Sequence, residues 1–250
     1  MKGVLRSIKE FLLDLLFPVF CFGCGREGSY LCQDCLALIE ILEYQYCPFC
    51  YPPKIVSDGK TCQKCRRDKK LTGLFSATSY ENFLIKRIIN QFKYEPLVKE
   101  LAKTLASLII THFLLLNKSP QQIWIKSILV PVPLDKTREK ERGFNQAKEL
   151  AKELSKILEI PLVSDCLIKI KETRPQVELK KEEREENIKG VFLCQRPEEI
   201  KGRKILLVDD IYTTGSTLEE GARVLKEAQA KEVWGVVIAR GQLKTGKAGF

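Results

Sequence analysis

Eight of the ten cysteines fall before residue 66, in four CxxC pairs: CFGC from Cys21, CQDC from Cys32, CPFC from Cys47 and CQKC from Cys62. A CxxC turn puts two sulfurs on one side of a tight knuckle, and two facing knuckles supply four thiolates at tetrahedral spacing for Zn²⁺. So short a stretch cannot build an adequate hydrophobic core, and the metal takes its place. Pairing neighbours assigns Cys21, Cys24, Cys32 and Cys35 to one ion and Cys47, Cys50, Cys62 and Cys65 to another. A crossed arrangement, first pair with third and second with fourth, serves the same chemistry, and spacing leaves both open. Disulfides would need an oxidising compartment, and redox CxxC motifs do not normally come four in a row.

The opening MKGVLRSIKEFLLDLLFPVFCFGC imitates a secretory signal, but Asp14 interrupts the apolar run and Pro18 with the cysteines follows directly, without a small-residue cleavage site. It reads as a short amphipathic helix. No other segment approaches the roughly 20 apolar residues that cross a bilayer, so the expected location is the cytoplasm. Lys and Arg outnumber Asp and Glu by 42 to 32, a formal charge of +10. Two Zn²⁺ ions with eight thiolates would lower that to +6, still basic, which suits an acidic partner such as phosphate or nucleic acid.

Basic residues concentrate in KTCQKCRRDKK, where Lys60, Lys64, Arg66, Arg67, Lys69 and Lys70 face only Asp68, and nearby YQYCPFCY offers Tyr44, Tyr46, Phe49 and Tyr51. Cations tracking a phosphate backbone beside aromatic faces grip single strands without reading sequence. The same residues also suit a solvated loop beside aromatics that fill a tiny core. Cys166 and Cys194 stand apart from the pairs and read as small buried apolar residues. His112, the only histidine, lies within the apolar pattern of ELAKTLASLIITHFLLL and reads as structural.

With 250 residues and 44% apolar composition, the chain has room for one main domain and a smaller one, divided here at 1–70 and 71–250. Beyond residue 72, LFSATSY reads as a strand, NFLIKRIINQFKY as an amphipathic helix, and residues 96 to about 116 as a more apolar helix. IKSILVPVP is a buried strand leading through a charged loop into the helix FNQAKELAKELSKIL. Short strands follow near PLVSD, CLIKIKE and VFLC, then KILLVDD, the helix TLEEGARVLKEAQA and the strand VWGVVIA. Continuously apolar strands alternating with helices predict an α/β fold with a parallel sheet, whose ligands bind beyond the carboxyl ends of the strands.

KILLVDDIYTTGSTLEE would place Asp209 and Asp210 at such a strand end, with Thr213, Thr214, Gly215, Ser216 and Thr217 leading into a helix near residue 217 or 218. Hydroxyls and backbone N–H groups at a helix N-terminus suit a phosphate. The carboxylates would repel it, so they need another partner, such as vicinal sugar hydroxyls or a metal ion. Together they describe a phosphorylated ribose. Neither GxxxxGK[ST] nor GxGxxG occurs, which removes the nucleoside-triphosphate loop and the dinucleotide turn.

LLVDDIYTTGST resembles the signature of type I phosphoribosyltransferases, which binds phosphoribosyl pyrophosphate (PRPP). With LLDLLFP, the CxxC pairs, PVPL and RGFNQA, nearly the whole chain is similar to the ComF family of competence proteins. That resemblance implies a type I phosphoribosyltransferase-like parallel sheet flanked by helices, with a small N-terminal zinc-ribbon domain that binds metal through sets of four cysteines. It implies that Asp209 and Asp210 hold the ribose hydroxyls and that Thr213 to Thr217 cradle the 5′-phosphate. Arg138 and Arg142 would flank the pyrophosphate, with Mg²⁺ bound mostly through ligand oxygens. KETRPQVELKKEEREENIKGVF stands in the place of a flexible catalytic loop, with Gln176, Leu179, Arg184, Asn187 and Gly190 matching the family pattern. An exposed charged loop is the other reading of that segment. The family implies a part in DNA uptake and transformation, with single-stranded DNA and competence-machinery proteins as partners; a metabolic transferase with another acceptor is the alternative.

Overall fold

The computed structural model describes residues 18–94, 98–116, 124, 126–171, 173 and 181–241. The expected N-terminal helix, Gln176 and Leu179 lie outside them. Four strands form the main sheet: β1 (Gly73–Ser79), β2 (Ser127–Pro131), β5 (Lys204–Tyr212) and β6 (Glu232–Arg240). Their order is β1-β6-β5-β2 and every pairing is parallel. The short strands β3 (Leu167–Lys169) and β4 (Phe192–Cys194) pair antiparallel as a separate ribbon. PLVSD contributes only a single bridge, Leu162 to Leu129.

Alternation along β5 explains why the sheet is buried on both faces. Leu206 and Val208 enter one core with Phe75, Phe92, Phe113, Leu129 and Trp234, while Ile205 and Leu207 enter a second with Leu218, Leu225, Val233 and Phe192. The first core is covered by α2 (Phe83–Lys93), α3 (Leu101–Leu115) and α5 (Gln146–Leu158). The second is covered by α8 (Ser216–Glu227) and the β3–β4 ribbon. Two short helices, α1 (Gln33–Ala37) and α7 (Pro197–Ile200), each bury one side chain, Cys35 and Ile200. Phe75 stacks on Trp234 at 5.2 Å and meets Trp124 and Phe113 edge-on at 4.9 and 5.3 Å. Truncating a side chain so enclosed costs about 3–5 kcal/mol.

Local chemistry sets the helix starts. Asn82 and Asn145 cap α2 and α5 by accepting from the N–H of Ile85 and Lys148. The segment expected as a charged loop after β2 instead folds into α4 (Lys136–Arg142). Asp135 caps it, Glu139 lies in its first turn, Lys140 and Arg142 in its last, and Gly143 closes it at φ 72°. Those placements match the helix dipole and the left-handed C-terminal turn, which periodicity in a segment with no apolar stripe does not reveal.

His112 is buried, and its Nδ1 lies 2.7 Å from the Leu42 carbonyl, tying α3 to the N-terminal segment. Cys166 is buried beside Cys194, sulfurs 3.6 Å apart, and burial pushes its thiol up to about 12. Among the described residues no helix is long and apolar enough to cross a membrane.

Candidate functional site

A cleft of about 950 Å³ opens at the carboxyl ends of the parallel strands. β5 delivers Asp209 and Asp210 to it, and its last residue, Tyr212, turns the chain into the 213–217 loop. Asp209 accepts the Asp210 N–H through Oδ1 at 2.8 Å. Asp210 is buried and pairs with Lys93, the last residue of α2, at 2.8 Å. Burial and the neighbouring Asp210 charge push Asp209 up to about 8, against the pull of Lys93. Burial works against the Lys93 charge, yet Asp210 and then Asp209 hold it above the ordinary lysine range. A second carboxylate charge is therefore costly here until hydroxyl donors or a cation arrive.

Gly215 is the N-cap of α8, at φ 85°, and supplies no side-chain cap. A Cβ at this position would overlap the Tyr212 hydroxyl and ring, so both the backbone angle and the space demand glycine. The Thr214 and Ser216 hydroxyls lie 2.8 Å apart at the same turn. The Ser216 N–H donates to the Thr214 hydroxyl at 3.5 Å, so hydroxyls and the α8 N-terminus gather at one turn lining the cleft, a combination suited to an oxyanion.

The segment after β2 adds to the lining of the same cleft. Arg138 and Arg142, on α4, line the same cleft as Asp209, Asp210, Thr213, Thr214, Gly215 and Thr217. Arg138 donates to the Thr173 carbonyl at 3.0 Å, and its Nε lies 3.4 Å from Asp135. Lys169 reaches Asp135 at 3.3 Å and the Thr173 hydroxyl at 2.6 Å. Burial would raise the Asp135 carboxyl, but the Arg138 N–H and the Lys169 and Arg138 charges outweigh it and keep it below the usual carboxylate range. Arg142 donates to Gln146 at 3.2 Å and lies over the Tyr94 ring at 5.2 Å. Two guanidiniums and two carboxylates thereby line one cleft.

The segment expected as a flexible loop contains α6 (Lys181–Ile188). Ile188 lines the cleft, and the Gly190 N–H donates to Glu220 on α8 at 2.8 Å. Arg184 lies on α6, with its side chain outside the described set. Lys93, Lys169 and Asp135 are site residues that sequence reasoning missed; Asp135 alone carried a local signal, as the cap before KTREKER.

Each cysteine quartet assembles from neighbouring pairs: Cys21, Cys24, Cys32 and Cys35 form one, and Cys47, Cys50, Cys62 and Cys65 the other. The crossed wiring does not occur. Within each quartet all sulfurs lie within 4.8 Å of one another, and Cys24–Cys32, Cys50–Cys62 and Cys50–Cys65 are 3.6, 3.6 and 3.7 Å apart. Tetrahedral Zn²⁺ with bonds near 2.3 Å requires a sulfur separation of about 3.8 Å. Cys21 accepts the N–H of Gly23 and Cys32, and Cys47 accepts that of Cys62. Burial would raise the Cys21 thiol, but the N–H groups of Cys32, Cys24 and Gly23 overcome it and bring the thiol to about 6; the Cys65 N–H does the same for Cys62 despite burial. The donor sets and spacing fit structural zinc.

Of the nucleic-acid candidates, Arg66, Lys69 and Lys70 line a second cleft of about 550 Å³ with Arg223 and Lys226 of α8, while Lys64 and Arg67 do not line it. Tyr44 and Tyr51 are exposed. Phe49 instead lies under Lys69 at 5.2 Å, and Tyr46 lies beside Arg240.

Two domain families match the chain: the double zinc ribbon domain over residues 12–68 and the phosphoribosyl transferase domain over residues 140–248. Competence protein F of Haemophilus influenzae is 29% identical over 214 residues, covering 84% of this chain and 90% of that protein. Along most of its length the chain is similar to competence proteins of the ComF type. Competence protein ComFC of Bacillus subtilis is 28% identical over 208 residues, with 81% and 80% of the two chains covered. DNA utilization protein YhgH of Salmonella typhimurium is 28% identical over 227 residues, with 88% and 97% covered. The two matched domains account for both halves of the fold: a ribbon pair with two cysteine quartets, joined to a phosphoribosyltransferase-type parallel sheet.

Proposed function

We propose that this ComF-like protein binds PRPP with Mg²⁺ and acts in DNA uptake, in keeping with relatives named for competence and DNA utilization. The observation that carries the ligand is the single cleft uniting Asp209 and Asp210, the 213–217 turn, Arg138 and Arg142. In this reading the carboxylates accept the ribose 2′- and 3′-hydroxyls, the turn and the α8 N-terminus hold the 5′-phosphate, and the arginines face the pyrophosphate. Mg²⁺ neutralises the pyrophosphate and keeps most of its ligands on PRPP and water. Were ribose transferred, pyrophosphate would leave C1 through an oxocarbenium-like transition state, and Arg138 and Arg142 would stabilise the departing charge. Calorimetry with PRPP and Mg²⁺ tests the reading: wild type binds, and Asp209→Asn/Asp210→Asn loses at least tenfold in affinity. A wild type that does not bind sinks it.

A second activity is favoured by the basic cleft beside the second ribbon, where Arg66, Lys69, Lys70 and Lys226 converge. Burial holds Lys226 below the ordinary lysine range, while Glu232 pulls the other way more strongly than Lys70 pushes. Single-stranded DNA lying there would bind with a steep salt dependence. Neutralising Arg66, Lys69 and Lys70 then flattens the salt slope by about two; an unchanged slope removes this surface from consideration. A metabolic transferase would instead consume PRPP with a small base or amine and leave strand binding irrelevant.

A further inference from the structure

Between the second ribbon and the 213–217 loop lies a third pocket, of about 330 Å³, within the range of small-ligand sites. It shares Ile188, Tyr212, Thr213 and Thr214 with the main cleft, and Lys69 and Arg223 with the basic cleft, so it joins the two. One wall is aromatic, with Phe49 half-buried and Tyr51 76% exposed.

Accounting for the charged groups of this pocket decides what it can take. Glu219 is spent on the N–H groups of Lys70 and Leu71, at 2.8 and 3.0 Å. Glu220 is spent on Gly190 N–H and on Arg223, and Arg223 is held again by Glu227 at 2.6 Å. Arg240 donates to the carbonyls of Cys47 and Pro48 at 3.0 and 3.2 Å. The remaining ammonium groups are those of Lys69, poised over Phe49, and the exposed Lys189. A planar ring for the aromatic wall and an anion for the two lysines are the complementary chemistry. Inorganic phosphate would ignore the rings, and an uncharged apolar molecule would ignore the lysines.

We infer that this pocket seats one nucleotide unit, its base against Phe49 and Tyr51 and its phosphate on Lys69 and Lys189. Such a unit can arrive as a free nucleoside monophosphate or as the phosphorylated end of a strand in the basic cleft. The site would bring that nucleotide beside the loop that the PRPP reading assigns to the 5′-phosphate, but nucleotide binding does not depend on that reading.

The test titrates the full-length, zinc-loaded protein with AMP, with a 5′-phosphorylated oligo-dT and with inorganic phosphate, each with and without saturating PRPP. Wild type is compared with Tyr51→Ala and Lys189→Ala, both at exposed positions outside the main cleft and checked for unchanged thermal unfolding. Loss of a stacking face predicts about tenfold weaker binding in Tyr51→Ala, and loss of the cation predicts a several-fold weakening in Lys189→Ala. These losses seen with AMP identify a free nucleotide; seen only with the oligonucleotide, they identify a strand end. Phosphate binding as tightly as AMP and the oligonucleotide, nucleotide binding displaced by PRPP and indifferent to Tyr51, or no nucleotide binding at all would overturn the inference. Because neither side chain lines the main cleft, PRPP titrations of the same variants score the PRPP reading separately.

Discussion

The two zinc ribbons share one ligand chemistry and sit on the sheet in different ways. The first is packed into the α2–α3 core: Cys21, Leu31, Cys35 and Ile39 join its buried cluster, and Phe22 stacks on Tyr30 at 5.7 Å. The segment that follows it reaches the edge strand through Leu42 N–H to the Ala77 carbonyl at 2.9 Å. The second is fastened to the candidate site. Tyr212 donates to the Pro48 carbonyl at 2.6 Å, Arg240 donates to Cys47 and Pro48, and Glu219 accepts from Lys70 and Leu71. Those bonds grip the residue before the 213–217 loop and the first turn of the helix after it. One ribbon supplies core, while the other braces a loop that needs a fixed shape.

The two ribbons should part most sharply when a metal ligand is removed. Cys62→Ser, which removes a ligand of the second ribbon, should reduce PRPP affinity by on the order of a hundredfold, through several braces lost together. Cys24→Ser, in the exposed corner of the first ribbon, should lower the thermal midpoint with little change in PRPP affinity. Calorimetry and thermal unfolding on both variants separate the two roles, and equal losses of affinity would abolish the distinction.

Gly215→Ala acts on the braced loop itself. The positive φ and the overlap with Tyr212 should cost about 1–3 kcal/mol in chemical unfolding and abolish measurable PRPP binding. Tyr212→Phe is milder. Pro48 keeps its bond from Arg240, so about 1 kcal/mol of stability and a several-fold loss of affinity are expected.

A smaller effect comes from pH. With Asp209 at about 8 in the fold and near 3.8 when unfolded, the folded state holds more protons between those values. Its contribution to stability is therefore complete at low pH, falls as pH rises through that window, and levels off above about 8. PRPP with Mg²⁺ favours ionised carboxylates, so affinity should rise from pH 7 to about 8.5, with proton release visible in buffers of different ionisation enthalpy. The opposite slope would contradict the carboxylate assignment.

Much of this arrangement was legible because it is local. The CxxC knuckles, the ILLV strand with its two aspartates and the Thr-Gly-Ser turn are each encoded within a few residues. The quartets resolve to neighbours only once the chain is folded. Lys93 gave no signal, being one of two lysines on an amphipathic helix, and it matters only because α2 ends against Asp210. Tyr212 and Arg240 fall just beyond the expected strands KILLVDD and VWGVVIA; their role depends on the second ribbon lying over them, a tertiary fact. The helix α4 escaped notice because capping and charge order, rather than apolar periodicity, define it.

Amide hydrogen exchange across residues 209–217, with and without PRPP and Mg²⁺, tests the central claim most directly. Added protection is expected at 209–217 and over the Arg138–Arg142 segment, abolished in Asp209→Asn/Asp210→Asn. Unchanged exchange there, with saturating PRPP in the wild type, would contradict it.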